Sequence, residues 1–198
     1  MSSNVGLLET LRASGALKEG HFLLSSGRHS DQYVEKFHLL RQPRATSAAC
    51  ALIVERVADQ AIDVVVGPTT GGVILAFEVA RQLGVDAAYA ERSTENGTGR
   101  EFRRGTTFPR GARVLIVDDI LTTGGSVRET LAALEHHSVE VAGVALLVDR
   151  SGGAADIDAL MFALVTLDIA SWEPAECPLC QRGEPLVKPG TTPGAAPA

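Results

Sequence analysis

The feature that most constrains this chain is a regular alternation of short apolar runs with helical segments, which begins at about residue 45. The segments 44–60, 71–84 and 126–137 have apolar residues at helical spacing. Between them lie runs that predict strands, namely 62–68 (IDVVVGP), 86–93 (DAAYAERS), 112–119 (ARVLIVDD), 139–153 (VEVAGVALLVDRSGG) and 162–172 (FALVTLDIASW). This alternation is typical of parallel sheets, so we predict an α/β fold with a mostly parallel central sheet and flanking helices.

The N-terminal part has a different pattern. Residues 4–18 carry leucines at helical spacing and predict a helix, and residues 20–40 predict two short strands around a turn. The chain of 198 residues suits one domain, which we place at residues 1–187. Residues 188–198 are rich in Pro, Gly and Ala, and we expect a disordered tail.

Composition excludes several classes of function. The formal net charge of −6 disfavours nucleic acid as a partner. The sequence has no apolar run near the ~20 residues of a membrane span, so we expect no membrane partner. The N-terminus does not resemble a secretory signal, and there are only 3 cysteines. We therefore expect a reducing, cytoplasmic setting.

Three predicted strands end in polar or small residues, at 67–72 (GPTTGG), 118–119 (DD) and 149–150 (DR). Because ligands bind parallel sheets at the carboxyl ends of the strands, we expect these segments to share one rim. Residues 122–126 (TTGGS) lie between a strand and a helix, where backbone N–H groups and the helix dipole favour a phosphate. Carboxylates beside that loop would accept hydrogen bonds from a ribose diol. The alternative is an aspartate that caps the helix above a simple glycine turn.

The stretch 114–126 (VLIVDDILTTGGS) resembles the phosphoribosyl pyrophosphate (PRPP) signature of type I phosphoribosyltransferases. The segments 22–34 (FLLSSGRHSDQYV) and 146–153 (LLVDRSGG) are similar to those of the orotate phosphoribosyltransferases in that family. The resemblance covers about residues 5–187. It implies a small N-terminal hood, largely from residues 1–42, beside the central sheet. It also implies transfer of phosphoribose from PRPP to orotate, with Mg²⁺ as cofactor and a homodimer with shared active sites.

The resemblance also implies roles for individual residues. Asp118 and Asp119 would be catalytic and would bind PRPP, and the magnesium would be held mainly by PRPP and water rather than by the protein. Arg92 would reach the PRPP of the partner subunit. The other residues implied to bind PRPP are Thr69, Thr70, Gly71, Gly72, Ile120, Leu121, Thr122, Thr123, Gly124, Gly125 and Ser126. The residues implied to bind orotate are Thr122, Arg150, Tyr33 and Ser26.

The sequence departs from the family at the lysines that many relatives carry around the diphosphate. Gly71, Ser25 and the stretch 93–105 (STENGTGREFRRG) stand at those positions. We expect residues 95–107 to form a mobile loop or hairpin, and Arg100, Arg103 and Arg104 are the candidates to replace the missing charge.

Cys177 and Cys180 form a CxxC pair. A structural zinc usually needs four ligands, and we find no second cysteine pair in the sequence, so we favour a tight turn with two reduced thiols. A metal shared by two CxxC pairs of a dimer is the alternative. The histidines have no metal-ligand spacing, and we predict surface or turn positions for His21, His29, His38, His136 and His137.

Three other interpretations of the whole chain stay open. A purine phosphoribosyltransferase would share the fold, although residues 22–34 and Arg150 favour an acidic pyrimidine. A nucleotide-sensing regulator would also share it, although the negative charge argues against this. A plain α/β domain with a capped turn would leave the three polar strand ends unexplained.

Overall fold

A computed structural model describes residues 2–24, 26–94 and 98–189, without the side chains of residues 2–5. The predictions for Ser25, for residues 95–97 of the loop and for residues 190–198 of the tail lie outside the described residues. The helices are α1 (Ser2–Ala13), α2 (Lys36–Leu40), α3 (Pro43–Val57), α4 (Gly71–Leu83), α5 (Gly125–Leu134) and α6 (Pro178–Gln181), with a 3₁₀ turn at Pro174–Glu176. The strands are β1 (Leu17–Leu23), β2 (His29–Val34), β3 (Val64–Pro68), β4 (Asp86–Arg92), β5 (Arg100–Glu101), β6 (Arg113–Leu121), β7 (Glu140–Asp149), β8 (Met161–Thr166) and β9 (Ser171–Trp172).

The larger sheet has the strand order β5-β4-β3-β6-β7-β8. Strands β4, β3, β6, β7 and β8 are parallel to their neighbours, and only the two-residue β5 pairs antiparallel, with β4. The chain runs from β3 outward to β4 and then returns to place β6 on the other side of β3. The prediction of a mostly parallel sheet is confirmed, and its topological switch point lies between β3 and β6, where such sheets bind ligands.

Helices cover both faces of this sheet. Helices α1 to α4 pack on one face, where Leu75 and Val79 of α4 meet Leu115 and Val117 of β6. Helix α5 covers the other face, over Ile116 and its neighbours. Apolar residues on both faces make the central strands nearly continuous hydrophobic runs, as buried parallel strands require.

The smaller sheet has the order β1-β2-β9 and is antiparallel. Strands β1 and β2 form the expected hairpin, but β9 comes from the far end of the chain. The predicted single strand 162–172 is therefore wrong in part, because β8 ends at Thr166 in the large sheet and Ser171–Trp172 pairs with β2. Strand β9 forms its hydrogen bonds with β2 of the smaller sheet. The local sequence pattern predicts a strand but does not reveal which sheet it joins.

Other boundaries also differ from the sequence prediction, and residues 36–40, predicted with the two strands of the hairpin, form α2. Helix α1 ends at Ala13 rather than near residue 18, since Gly15 adopts a left-handed φ of 71° and the chain turns into β1. Strand β6 continues to Leu121, two residues beyond the predicted end at 119. Among the described residues, no helix is both long and apolar enough to cross a membrane.

Candidate active site

Two buried carboxylates occupy β6 next to the switch point. Asp118 is 5% exposed and Asp119 is 2% exposed. The Asp118 carboxylate accepts hydrogen bonds from Ser126 Oγ at 2.7 Å and from the backbone N–H of Asp119 at 2.8 Å. Asp119 accepts one from the backbone N–H of Ile120 at 2.7 Å and forms an ion pair of 2.9 Å with Lys36.

The two carboxylates point to opposite faces of the sheet. Asp118 reaches the first turn of α5 through Ser126, whereas Asp119 reaches Lys36 at the start of α2. The sequence suggested that both acids turn toward the rim at the end of a strand. They differ from this expectation because β6 continues for two residues past Asp119, and side chains alternate along a strand.

Burial also perturbs the charge of this pair. The pKa of Asp118 is raised to about 6, first by desolvation and then by the neighbouring charge of Asp119. Desolvation raises the pKa of Asp119 as well, and the Lys36 ammonium opposes that rise. Buried carboxylates with raised pKa values beside a crevice are typical of functional sites.

The small-residue segment after β6 forms the N-terminus of α5. Thr122 and Thr123 are exposed, and Gly124 takes a left-handed φ of 80° directly before the helix. A Cβ at Gly124 would lie 2.8 Å from Ile157 Cδ1 and 2.9 Å from Arg128 Nη1, which are the ends of flexible side chains, so the left-handed φ is the main reason for glycine here. No side chain caps α5, which leaves its first N–H groups available to an anion.

The segment after β3 approaches the same edge of the sheet. A Cβ at Gly71 would collide with the Asp119 carboxylate, and one at Gly67 would collide with the backbone of Gly72. These glycines let the N-terminus of α4 pack directly against β3 and β6. Thr69 and Thr70 lie at the surface of this turn, partly and fully exposed respectively.

Arg100 brings positive charge to that turn. Its guanidinium donates to Thr69 Oγ1 and to the carbonyl of Ala90, both at 3.0 Å, and its side chain is only 4% exposed. Arg103 and Arg104, the other candidates from the sequence, form ion pairs with Glu101 and Glu91. Among these three arginines, the structure thus brings Arg100 to the segment 69–72.

Arg150 follows β7 and provides a second cation, which is half-buried. Its backbone N–H donates to the Leu121 carbonyl at 2.8 Å, which holds it beside the end of β6. Its Nε is buried without a hydrogen-bond partner among the described residues. Desolvation lowers the pKa of Arg150, and interaction with Tyr33 opposes this. Asp149 accepts the Ser151 N–H at 2.7 Å. The described residues show no ion pair between Asp149 and Arg150.

Comparison with known proteins places this geometry in a family. The family model of the phosphoribosyl transferase domain matches residues 38–180. The orotate phosphoribosyltransferase of Caldicellulosiruptor bescii is 45% identical over 184 residues, which are 93% of this chain and 95% of that protein. The chain belongs to the orotate phosphoribosyltransferase family.

Further relatives agree with this assignment. The orotate phosphoribosyltransferase of Methylobacterium sp. (strain 4-46) is 46% identical over 193 residues, with 95% of this chain and 97% of that protein covered. The crystal structure of orotate phosphoribosyltransferase from Aeropyrum pernix superposes with a TM-score of 0.70 at 31% identity, over 81% of this chain and 93% of that one. The prediction of a type I phosphoribosyltransferase fold with an N-terminal antiparallel sheet is confirmed.

In this phosphoribosyltransferase, the other residues predicted for the site lie in different surroundings. Tyr33 of β2 is half-buried, with its ring centroid 5.8 Å from that of Phe22. Ser26 is exposed in the β1–β2 turn, where its Oγ accepts the Arg28 N–H at 3.4 Å. Arg92 is exposed at the end of β4. The Leu121 side chain is buried in the core, so its backbone alone is open to a ligand.

Sequence reasoning missed Lys36 as a partner of Asp119. The two residues are 83 positions apart, and Lys36 is the first residue of α2. The available signal was the absence of any cation near Asp119 in the sequence, since a buried carboxylate requires a partner.

The interpretation of two histidines was wrong. His21 and His29 are 4% and 5% exposed and lie inside β1 and β2, not at the surface or in turns. Both rings face the CxxC pair of Cys177 and Cys180, so a second pair of potential ligands does exist within the same chain. The hairpin and the C-terminal segment are far apart in sequence, which hid this from any spacing rule.

Proposed function

We propose that this chain transfers the 5-phosphoribosyl group from PRPP to orotate, which yields orotidine 5′-monophosphate and diphosphate in pyrimidine synthesis. The observation that carries the proposal is the combination of Asp118, Asp119 and the uncapped N-terminus of α5 at the switch point of the sheet. A phosphate on the helix and a diol near the acids match the two ends of a ribose 5-phosphate.

Residues 122–126 would bind the 5-phosphate. The N–H groups at the start of α5 lack a side-chain cap, and the exposed hydroxyls of Thr122 and Thr123 add donors. Arg128 donates to the Thr123 carbonyl at 2.8 Å and so helps to hold the loop in position. Ile120 and Leu121 would contribute through the backbone that leads into this loop.

The diphosphate would lie against Thr69, Thr70, Gly71 and Gly72 at the start of α4. Arg100 donates to Thr69 Oγ1 at the start of this segment and also forms an ion pair of 3.3 Å with Glu129. Its contact with Thr69 supports a role in place of the missing lysines. Arg92 is exposed beside it, as expected of a residue that reaches the partner subunit. Electrostatic attraction from these arginines would favour departure of the diphosphate.

Arg150 and Tyr33 would bind orotate, with Thr122 and Ser26 beside them. The buried Nε of Arg150 has no described acceptor, and the orotate carboxylate would supply one. A guanidinium presents a planar fork that fits a carboxylate in a bidentate manner. The negatively charged carboxylate distinguishes orotate from uracil and from the purine bases.

The reaction requires positioning rather than a covalent intermediate. Displacement at the anomeric carbon develops positive charge on the ribose, and the Asp118 and Asp119 carboxylates would stabilise it and orient the ribose hydroxyls. We infer that Mg²⁺ accompanies PRPP and neutralises charge on the diphosphate. Because both carboxylates already accept protein hydrogen bonds, the described site fits an ion held mainly by substrate and water.

We infer a homodimer as the working unit, since shared sites need a second copy. Helix α4 and the start of α2 expose Ile74, Phe77 and Phe37 at 38%, 66% and 43%, which supports an apolar contact surface there. The three described cysteines form no disulfide, which supports a reducing, cytoplasmic setting.

A spectrophotometric assay tests the substrate. We expect turnover of orotate that depends on PRPP and Mg²⁺, and little with adenine, hypoxanthine or uracil. Preferred turnover of a purine would favour the purine enzyme instead. A gel shift with pyrimidine-operon nucleic acid should be negative, and a nucleotide-dependent shift without turnover would favour a regulator.

A further inference from the structure

Four soft or borderline ligand atoms converge beside the smaller sheet, and none of them belongs to a residue proposed to bind substrates. His21 lies on β1 and His29 on β2, while Cys177 directly precedes α6 and Cys180 lies within it. The ligand atoms of these four residues all lie within 4.8 Å of one another. His21, His29 and Cys177 are buried, and Cys180 is exposed.

Four of the six separations among these atoms are close to the edges of a metal-centred tetrahedron. Metal–sulfur and metal–nitrogen bonds of about 2.3 and 2.0–2.1 Å imply N–N, S–N and S–S edges of about 3.3, 3.6 and 3.8 Å. The distance from His21 Nε2 to His29 Nδ1 is 3.0 Å. The S–N distances are 3.5 Å for Cys177 to His21, 3.7 Å for Cys180 to His21 and 3.2 Å for Cys180 to His29. Each differs from its ideal edge by a few tenths of an ångström.

Hydrogen bonding alone does not account for this cluster. His21 Nδ1 lies 2.8 Å from the Glu184 carbonyl, which only accepts, so Nδ1 carries the proton. In the neutral ring, Nε2 then has one lone pair. His29 Nδ1, Cys177 Sγ and Cys180 Sγ all approach that one nitrogen. A cation at the centre would take the lone pair of Nε2 and one from each of the other three atoms.

We propose that His21, His29, Cys177 and Cys180 bind one structural Zn²⁺ ion per chain. Two thiolates and two imidazoles in a tetrahedral arrangement are a preferred donor set for zinc, and a Cys-x₂-Cys pair is a common half of such a site. The hydrogen bond from His21 to the Glu184 carbonyl orients the ring as ligand histidines require. Four protein ligands leave no open position, so the role is structural.

The ion would join the C-terminal segment to the β1–β2 hairpin. The two segments already share backbone hydrogen bonds, from Val187 to the His21 carbonyl at 2.8 Å and from Leu23 to the Val187 carbonyl at 2.9 Å. Because β2 also carries Tyr33, the zinc would help to hold the proposed orotate side of the site in place.

Metal analysis of the purified full chain tests the proposal independently of activity. Protein purified with a thiol reductant and without chelator should contain about one zinc per chain by elemental analysis. Native mass spectrometry should show the chain plus one zinc, less the two thiol protons. Cys177→Ser with Cys180→Ser should lose this metal. Cys50→Ala is the matched control, since Cys50 lies buried in α3 outside the cluster, and it should keep its metal.

Cobalt substitution keeps the test valid if the double variant fails to fold. Wild-type protein stripped of metal and loaded with Co²⁺ should show the visible bands of tetrahedral cobalt and a thiolate-to-cobalt charge-transfer band. A wild-type chain that carries almost no transition metal, takes up no Co²⁺ and keeps both thiols titratable would overturn the proposal.

Discussion

At the residue scale, burial of the Asp118 carboxylate lowers the stability of the fold at neutral pH. A carboxylate whose pKa is raised from 3.8 to about 6 by burial favours the fold below about pH 4, and this contribution is lost as the pH rises through 6. At neutral pH the ionised Asp118 therefore destabilises the native state. The fold retains it next to Asp119 nonetheless, which fits a residue kept for chemistry.

Asp118→Asn should therefore separate activity from stability. We expect a large loss of kcat/KM, because the charge near the ribose is gone. At pH 8 the free energy of unfolding should rise, by on the order of 1–3 kcal/mol, and the gain should shrink toward pH 4. Chemical denaturation at several pH values measures this, with the exposed Asp59→Asn as control. A variant that is equally destabilised at pH 4 and pH 8 would contradict the argument.

Arg150 allows a second prediction at the residue scale. If its guanidinium binds the orotate carboxylate, Arg150→Ala should mainly raise the KM for orotate and leave the KM for PRPP nearly unchanged. Loss of a charge-assisted hydrogen bond corresponds to about 1.5–3 kcal/mol, or roughly 10- to 150-fold. Arg150→Lys should recover only part of this, since an ammonium lacks the planar fork. Steady-state kinetics with each substrate varied in turn measure both KM values. An equal rise in the KM for orotate and for PRPP would indicate that Arg150 binds the diphosphate instead.

At the scale of elements, we expect mobility in the β4–β5 arm, defined as residues 98–107, in which Phe102 packs against Phe108 and His137. Strand β5 has two residues, and Arg100 anchors it to Thr69. The side chains of Arg103 and Arg104 are 30% and 69% exposed and form ion pairs with Glu101 and Glu91. Arg103 also donates to the Arg92 carbonyl and to Thr94 Oγ1. Surface pairs of this kind contribute little to stability, so this arm should open readily.

Trypsin should consequently cut the β4–β5 arm after Arg103 or Arg104 in the free protein. PRPP with Mg²⁺ should slow this cleavage if the arm closes over the diphosphate. Cleavage after Arg182 is an internal control, because that exposed residue lies in the C-terminal segment. Mass spectrometry of the fragments measures both rates. A ligand that slows both sites equally, or neither, would contradict closure of the arm.

At the scale of the whole molecule, the proposed dimer makes two active sites depend on each other. In a two-fold dimer each subunit would lend Arg92 to its neighbour and keep its own Arg150. Mixing Arg92→Ala with Arg150→Ala then places both wild-type arginines in one site of every mixed dimer. Random exchange makes about half of the dimers mixed, so about a quarter of all sites should recover activity.

The mixing experiment requires proof that subunits exchange, for example by native mass spectrometry of differently labelled chains. Activity is then measured before and after mixing. If exchange is complete and activity stays at the level of the separate variants, Arg92 acts within its own subunit. Wild-type dimers carried through the same exchange are the control for losses during handling.

The sequence by itself determined the parallel α/β fold and the position of its rim. Hydrophobic runs that alternate with helical segments leave few other ways to bury the apolar faces, and parallel strands must end at the same edge. The run from Asp118 to Ser126 also predicted a phosphate loop, because small residues between a strand and a helix act through their local backbone. These features depend on neighbours in the chain.

Only the tertiary structure decided the partners of the buried polar groups. Lys36 meets Asp119 across 83 positions, Arg100 meets Thr69 across 31, and Cys177 meets His21 across 156. The same holds for β9, which leaves the large sheet to pair with β2. Local patterns reflect backbone preference and burial, whereas a buried charge or ligand atom takes whichever partner the packing of distant elements brings within a few ångströms.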